Sequence, residues 1–189
     1  MPTRAKANVD KEAIDIVNLD AIDGLLFAAA TEFAALARSG ILGKVPAMST
    51  KTAEAIWHGS LTEGSGHLKT QSGKLDVDYA WKSRAEDGPG TNPEELIGAA
   101  HAGCFNMALS HMLNEAGHAP ERLHTVAHVK FDKVGDGFGI TNIKLVLKAK
   151  VPGMSESDFK EHAEKAKAGC PVSKALAATP IELDASLES

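Results

Sequence analysis

The feature that most constrains the fold is a long apolar segment, Leu96–Ala116, which directly follows a strong helix start. Thr91 or Asn92 can cap the helix, and Pro93 suits its first position, where an amide hydrogen would lack a partner. Apolar side chains then occupy nearly every face of the predicted helix, which is typical of a helix buried all round. Gly117 supplies the stop. A small domain rarely encloses such a helix, so we expect something to wrap it.

The predicted helix carries one thiol, Cys104, beside Ala102 and Gly103, whose small size leaves room for another group. A cysteine in an apolar helix is most often an inert small hydrophobe, and on this pattern alone that interpretation stays open. Glu94 stands ten residues earlier, which is about 15 Å of rise in an unbroken helix. For one basic group to touch both side chains the helix has to break between them, and Gly98 is the predicted place.

Composition excludes several classes of function. The chain has 189 residues, enough for one domain with or without an appendage, and 43% of them are hydrophobic, which is ample for a core. Its formal net charge of -5 argues against nucleic acid and anionic membranes as partners. Because no apolar run reaches the length a bilayer needs, and the start lacks a signal-peptide core, we expect a cytoplasmic protein.

Cysteine and histidine usage bears on redox and metal chemistry. The two cysteines, Cys104 and Cys170, are far apart and form no C-x-x-C pair. In a reducing cytosol, two isolated thiols are either inert or redox-active. The eight histidines are scattered. His124 and His128 could share a strand face, but surface or core histidines need no zinc, so we expect no metal site.

Residues 1–47 differ from the rest of the chain. They are rich in alanine and acidic residues, with apolar positions at loosely helical spacing. We expect a helical extension of one or two helices, or an over-long start, followed by a linker at Gly43–Pro46 and a separate domain over residues 48–189. The acidic content disfavours a mitochondrial transit peptide. We expect a chain that starts at Met48 to fold and function without the extension.

The rest of the chain alternates between strand and helix patterns. Alternation through Leu75, Val77, Tyr79 and Trp81 predicts the third strand of the domain. The other predicted elements are strands over Ala53–Gly59, His67–Ser72, Arg122–Lys133, Phe138–Val151 and Ile181–Leu187, a helix from Ser155 to Gly169, and a short helix that begins near Cys170. The order β-β-β-α-β-β-α-β predicts an α+β domain in which antiparallel strands wrap helices.

Two cysteine motifs carry a resemblance to a known family. They are Gly90-Thr-Asn-Pro-Glu-Glu-Leu-Ile-Gly-Ala-Ala-His-Ala-Gly-Cys-Phe105 and Lys165-Ala-Lys-Ala-Gly-Cys-Pro-Val-Ser173. Four shorter stretches accompany them: Ala116-Gly117, Asp132-Lys-Val134, Gly137–Ile143 and Val151-Pro-Gly153. From about Thr52 to its C-terminus the chain resembles the OsmC/Ohr family of thiol peroxidases, and within it the OsmC subgroup.

The resemblance implies an OsmC-like fold in an intertwined homodimer, whose two sheets surround the central helices. It also implies a peroxidase that reduces organic hydroperoxides, and hydrogen peroxide as well, in oxidative and osmotic stress defence. By motif position, Cys104 resembles the peroxidatic cysteine and Cys170 the resolving one. Glu94 matches the orienting carboxylate, and Arg84, at the end of the third strand, matches the activating arginine. No cofactor is implied, only an external dithiol as electron donor.

The implied chemistry requires these residue types. A free thiol is mostly protonated at neutral pH and a buried one more so, whereas a guanidinium beside it favours the thiolate. Arginine stays charged when desolvated, and a carboxylate fixes its fork. The thiolate attacks the peroxide and becomes a sulfenic acid, with which the second cysteine condenses to a disulfide.

Several alternatives stay open. Arg84 and Glu94 could be a solvated surface pair or charges at a helix start. A non-catalytic dimeric protein could bind a small ligand in an apolar pocket. A cysteine hydrolase could pair His101 with Cys104, which lies three residues further along one helix face. A purely structural stress-related dimer would need neither thiol.

Overall fold

The computed structural model describes residues 50–86 and 88–188. Residues 51–189 form one compact unit. The predicted extension over residues 1–47 and its linker lie outside the described residues. Across the described ranges, no helix combines the length and the apolar character needed to span a bilayer.

The described chain confirms the predicted α+β class. Its strands are β1 (Ala53–His58), β2 (Ser65–Thr70), β3 (Asp76–Tyr79), β4 (Arg122–Val134), β5 (Gly137–Lys150) and β6 (Ile181–Leu187). Its helices are α1 (Trp81–Ala85), α2 (Pro93–Glu115), α3 (Glu156–Gly169) and α4 (Pro171–Ala175). The element order agrees with the predicted one except for α1, a short helix where the sequence pattern indicated the end of a strand.

The strands form two three-stranded sheets. In the first, β1, β2 and β3 pair antiparallel. In the second, β4 pairs antiparallel with β5, whereas β6 pairs parallel with β5, with Ile143 opposite Ile181. The expectation of antiparallel strands therefore fails at β6. The chain leaves β5, passes through α3 and α4, and returns in the same direction, as a helical crossover requires.

The core lies between the second sheet and the helices α2 and α3. Side chains four residues apart on α2 point to this sheet, and every second residue of β5 points back, as the two periodicities dictate. The fully buried members are Phe105, Leu109 and Leu113 on α2, Ile143, Leu145 and Leu147 on β5, and Phe159, Ala163 and Ala166 on α3.

Helix α2 is continuous over 23 residues, so the predicted break at Gly98 is wrong. Asn92 caps the helix by accepting a hydrogen bond from the Glu95 amide at 2.9 Å. Gly98 is buried, and a Cβ there would lie 3.4 Å from the carbonyl oxygen of Ala127 and 3.5 Å from Cγ2 of Val129. The glycine therefore allows α2 to lie close to β4, rather than interrupting the helix.

One face of α2 is exposed in the described chain. The prediction that the helix is buried all round is therefore confirmed for its other faces and not for this one. The second sheet, α3 and α4 cover the others. A stripe of small residues runs along the open face and ends at Met107, which is 77% exposed. The stripe consists of Ala99, Ala100, Gly103 and Met107. We call these four residues the small-residue stripe. Such side chains allow another element to approach the helix backbone closely.

Candidate active site

Arg84 and Glu94, two of the predicted site residues, form a bidentate ion pair. Arg84 Nε donates to both carboxylate oxygens at 3.1 Å, and Nη2 donates to Oε1 at 2.7 Å. The side chain of Glu94 is 10% exposed and that of Arg84 is 31% exposed. Two parallel hydrogen bonds between ions fix the plane of the guanidinium group as well as its position.

Arg84 lies on α1, not at the end of the third strand as predicted. Strand β3 ends at Tyr79. The hydroxyl of Ser83 accepts a hydrogen bond from the Ala80 amide at 3.2 Å, and this bond closes the first turn of α1. The same hydroxyl lies 2.7 Å from the carbonyl oxygen of Thr91. These contacts fold the chain back across the start of α2, and this return brings the arginine to the carboxylate.

An aromatic cluster that the sequence did not indicate as part of the site lies beside this pair. The Arg84 guanidinium stands 4.1 Å above the ring of Phe131, within the range of a cation–π interaction. Phe131 stacks on Phe138 at 5.3 Å, and Trp81 meets both rings edge-on. A cleft of about 460 Å³ opens here, with Arg84, Glu94 and Phe131 in its wall. We call Arg84, Glu94 and these aromatic residues the charged cluster.

Cys104 and Cys170, the other two predicted residues, are neighbours, and each thiol shifts the pKa of the other. Both are free thiols; Cys104 is partly exposed and Cys170 is completely buried. Cys104 comes from the middle of α2, whereas Cys170 is the residue between α3 and α4. As expected from the glycine and proline on either side of it, the helix stops at Gly169 and restarts at Pro171.

The first turn of α4 surrounds the two sulfur atoms with hydrogen-bond donors. Burial raises the pKa of Cys104, and the neighbouring Cys170 thiol raises it further, whereas the Val172 amide lowers it. Burial also opposes ionisation of Cys170. Four neighbouring groups favour the Cys170 thiolate and outweigh burial, so the pKa of Cys170 lies below its ordinary value. They are the Ser173 amide, the Cys104 thiol, the Ser173 hydroxyl and the Val172 amide. Within one chain Cys170 is thus the more acidic thiol.

His101, the candidate base of the hydrolase alternative, makes its hydrogen bond elsewhere. Its side chain is completely buried, and Nε2 lies 2.8 Å from the hydroxyl of Ser173. Among the described residues Nδ1 has no hydrogen-bond partner. Burial lowers the pKa of His101, so the ring is neutral at neutral pH. We call His101, Ser173 and the two cysteines the thiol cluster.

The four predicted site residues thus form two pairs, which the single chain keeps apart. Glu94 and Cys104 lie ten residues from each other in an unbroken helix, so about 15 Å of helix separates them along its axis. The arrangement gives two neighbouring thiols and, elsewhere, a fixed guanidinium beside an open cleft.

Comparison with known proteins decides the family. A family model described as OsmC-like protein matches residues 85–185. The chain is 51% identical over 140 residues to Peroxiredoxin OsmC of Escherichia coli strain K12, an alignment that covers 74% of this chain and 97% of that protein. The chain belongs to the OsmC-like family. The membership expected from the two cysteine motifs is confirmed.

Two further comparisons place this OsmC-like chain beside the hydroperoxide resistance proteins. It is 31% identical over 113 residues to the organic hydroperoxide resistance protein OhrB of Bacillus subtilis strain 168, which covers 59% of this chain and 81% of that protein. Its fold is similar to the crystal structure of an organic hydroperoxide resistance protein OsmC from Legionella pneumophila, with a TM-score of 0.57 and 27% identity over 76% of this chain and 99% of that one.

Proposed function

We propose that this OsmC-like protein is a thiol-dependent peroxidase that reduces organic hydroperoxides, and hydrogen peroxide as a second substrate, in oxidative and osmotic stress defence. The observation that carries the proposal is the proximity of Cys104 and Cys170, two free thiols of one chain that shift each other's pKa. The names of the relatives from Escherichia coli and Bacillus subtilis support the activity and the substrate class.

The proposed reaction uses each thiol once. The thiolate of Cys104 attacks the terminal peroxide oxygen, the O–O bond breaks, and the alcohol leaves with a proton, so that Cys104 becomes a sulfenic acid. The Cys170 sulfur then forms the disulfide and water departs. An external dithiol reduces the disulfide by exchange and closes the cycle, so that no resident cofactor is required.

Cys104 needs an activator that the described part of its own chain does not bring to it. Burial disfavours its thiolate, and the guanidinium of Arg84 lies with Glu94, about 15 Å away along α2. We propose that a second copy of the chain supplies the guanidinium. The small-residue stripe is open between the two clusters, so another copy of α2 can pack there.

The register along the helix agrees with this homodimer. Ala99, a member of the stripe, lies midway between Glu94 and Cys104 in the sequence. In a two-fold symmetric pair each surface meets its own copy. If two antiparallel α2 helices cross at Ala99, position 94 of one copy stands level with position 104 of the other. The partner's Arg84 and Glu94 then complete the site around Cys104.

The remaining assignments follow from the same chemistry. Dithiol reductants are maintained in the reducing cytosol, where we place the protein. We propose a hydroperoxide and a dithiol donor as its small-molecule partners. Nucleic acid and membranes are not among the proposed partners, because the net charge of -5 opposes binding to polyanions.

Stopped-flow oxidation by cumene hydroperoxide, compared with hydrogen peroxide, tests the proposal. We expect Cys104→Ser to lose the fast oxidation entirely. Cys170→Ser should keep one fast oxidation per chain and then stall as a sulfenic acid that dimedone traps. Ser110→Ala, on the same helix, serves as the control. Full consumption of peroxide without Cys104 would overturn the proposal, and an absence of thiol oxidation in the wild type would favour the non-catalytic ligand-binding alternative.

A further inference from the structure

A buried hydrogen bond joins His101 to Ser173, whose hydroxyl acts on the Cys170 thiol, so these three side chains form a polar chain that leads to the two cysteines. His101 Nε2 lies 2.8 Å from the Ser173 hydroxyl, although 72 residues separate them in sequence. The Ser173 hydroxyl in turn lowers the pKa of Cys170, as a donor directed at its sulfur does, and the neighbouring Cys104 thiol acts in the same direction. His101 and Cys170 are completely buried and Ser173 is 6% exposed. The proposed peroxidase steps use neither His101 nor Ser173.

The direction of these hydrogen bonds follows from counting protons. A serine hydroxyl carries one proton, and a cysteine thiolate can only accept. If Ser173 donates to the Cys170 sulfur, the hydroxyl oxygen must accept from His101, so the proton of the neutral imidazole lies on Nε2. The other ring nitrogen, Nδ1, is then a bare acceptor, which agrees with its having no partner among the described residues.

We propose that His101 is a positioning residue that aims the Ser173 hydroxyl at the Cys170 sulfur and so prepares Cys170 to attack the oxidised Cys104. This reaction step rests on the proposed peroxidase function, whereas the hydrogen-bond chain itself does not. His101 restrains the rotation of the Ser173 hydroxyl. Its Nε2–H donates to the hydroxyl oxygen, so the hydroxyl proton has to point away from His101. The resolving thiol thereby keeps a donor directed at it without any formal charge in the core.

The step balances without a further reagent. The Cys170 thiolate forms the S–S bond to the Cys104 sulfur as the S–O bond of the sulfenic acid breaks. The departing hydroxide takes up the proton that Cys170 released and leaves as water. The Cys104 sulfur is reduced and the Cys170 sulfur is oxidised. His101 and Ser173 keep their own protons throughout and act only by orientation and polarity.

A titration free of peroxide tests the hydrogen-bond chain by itself. In Cys104→Ser, Cys170 is the only cysteine left, because the chain has two. Its pKa can be followed by NMR of ¹³Cβ-labelled cysteine. Adding Ser173→Ala should raise this pKa by roughly one unit, since a donor to the thiolate is lost. Thr125→Val, which removes a hydroxyl that bonds Asn106 on α2 at 2.6 Å, should leave the pKa unchanged.

Two substitutions of His101 test its role as a donor. Glutamine can place an N–H near the position of Nε2 but cannot titrate, whereas leucine has no donor. In the Cys104→Ser background, His101→Leu should raise the Cys170 pKa as Ser173→Ala does, and His101→Gln should keep it near the parent value. An equal rise in both variants would overturn the donor role, and an unchanged pKa in Ser173→Ala would overturn the whole chain.

Kinetics then connect the chain to the reaction. In Ser173→Ala, with both cysteines present, we expect disulfide formation at pH 7 to slow about tenfold, in keeping with a pKa near one unit higher. The deficit should disappear at alkaline pH, while the first oxidation stays within twofold of wild type. Equal slowing at every pH, or no slowing, would overturn the proposal. If Cys104 is not oxidised at all, the proposed function fails, and the titration still decides the hydrogen-bond chain.

Discussion

The charged cluster and the thiol cluster each include residues of α2 but differ in the kind of polarity they contain. The charged cluster holds two formal charges beside an open cleft, where Arg84 keeps about a third of its surface in solvent. The thiol cluster is buried except for Cys104, which is partly exposed; its sulfur atoms have amides and a hydroxyl near them, and the neutral His101 ring bonds to that hydroxyl. Formal charges are costly to bury, whereas oriented dipoles are not.

This difference accounts for the division of the site. A guanidinium placed permanently in the core beside Cys104 would need its own buried carboxylate there. In the proposed homodimer, the ion pair stays beside its own cleft in the single chain and meets the thiol only at the interface, so the core around Cys104 needs no second buried carboxylate. In that proposed homodimer, α2 is a rigid spacer between the clusters, and its exposed small-residue stripe is the proposed contact with the second copy.

The largest effect is expected from the charged cluster. Arg84→Lys should slow the oxidation of Cys104 by about a hundredfold, which corresponds to about 2.7 kcal/mol of transition-state stabilisation. Lysine keeps the charge, but it cannot hold the carboxylate in two bonds and present another N–H to the thiolate. The measurement is the second-order rate of sulfenic acid formation with cumene hydroperoxide.

The matched control for Arg84→Lys is Arg122→Lys. Arg122 is a surface arginine that pairs with Glu188 at 2.5 Å, and its side chain is 52% exposed. Exposed ion pairs contribute little, so this exchange should leave the rate unchanged. If Arg84→Lys also keeps the wild-type rate, the activating group is a different basic residue.

Short-range signals in the sequence predict those helix and strand ends that are determined by neighbouring residues. The start of α2 at Pro93, its end before Gly117 and the cap at Ser155 were all predicted from short-range signals. The final strand, Ile181–Leu187, has the predicted bounds. Capping and alternation are set within a few residues, and a sequence displays them directly.

The sequence could not anticipate features that depend on distant contacts. The predicted strand through Trp81 gives way to a helix because Ser83 bonds to Thr91, across the loop that follows. Gly98 suggested a break because its packing against β4 was not visible in the sequence. The bond between His101 and Ser173 spans 72 residues, and no local spacing indicates it.

A smaller effect is expected at the spacer between the clusters. A Cβ added at Gly98 would meet its neighbours at 3.4–3.6 Å, a contact that small shifts accommodate. Alanine also favours the helix by up to about 1 kcal/mol. Gly98→Ala should therefore keep activity and leave the free energy of unfolding unchanged or up to about 1 kcal/mol higher, as measured in urea.

A bulkier substitution sharpens this test. Gly98→Val should lower the free energy of unfolding by about 1–3 kcal/mol, because its methyl groups would press against β4. If the alanine variant instead loses activity while it remains folded, the helix has to bend at Gly98 during the reaction. The rigid spacer would then be refuted.

The smallest effect concerns an exposed ion cluster in the first sheet. His67 Nδ1 contacts Asp78 at 2.8 Å and Nε2 contacts Asp76 at 2.5 Å. The Asp78 and Asp76 carboxylates raise the pKa of His67 above 6.5. The protonated ring is thus favoured in the folded state, so its stabilisation is complete below about pH 6.5 and is lost as pH rises through the raised pKa.

Thermal unfolding between pH 5 and pH 9 measures this contribution. We expect a small decline in Tm across the window, weaker in 1 M salt because exposed charges are screened. His67→Gln should flatten that decline without changing peroxidase activity. An undiminished decline in the variant would show that His67 is not its source.

The central claim, that the two clusters meet only between chains, is tested most directly with mixed dimers. Arg84→Met and Cys104→Ser should each be inactive alone. A mixed dimer of the two contains one intact site, which combines Cys104 from one chain with Arg84 from the other. After random subunit mixing in equal amounts, we expect about a quarter of wild-type peroxidase activity, since half the dimers then hold one working site of two. No recovery of activity in verified mixed dimers would contradict the claim.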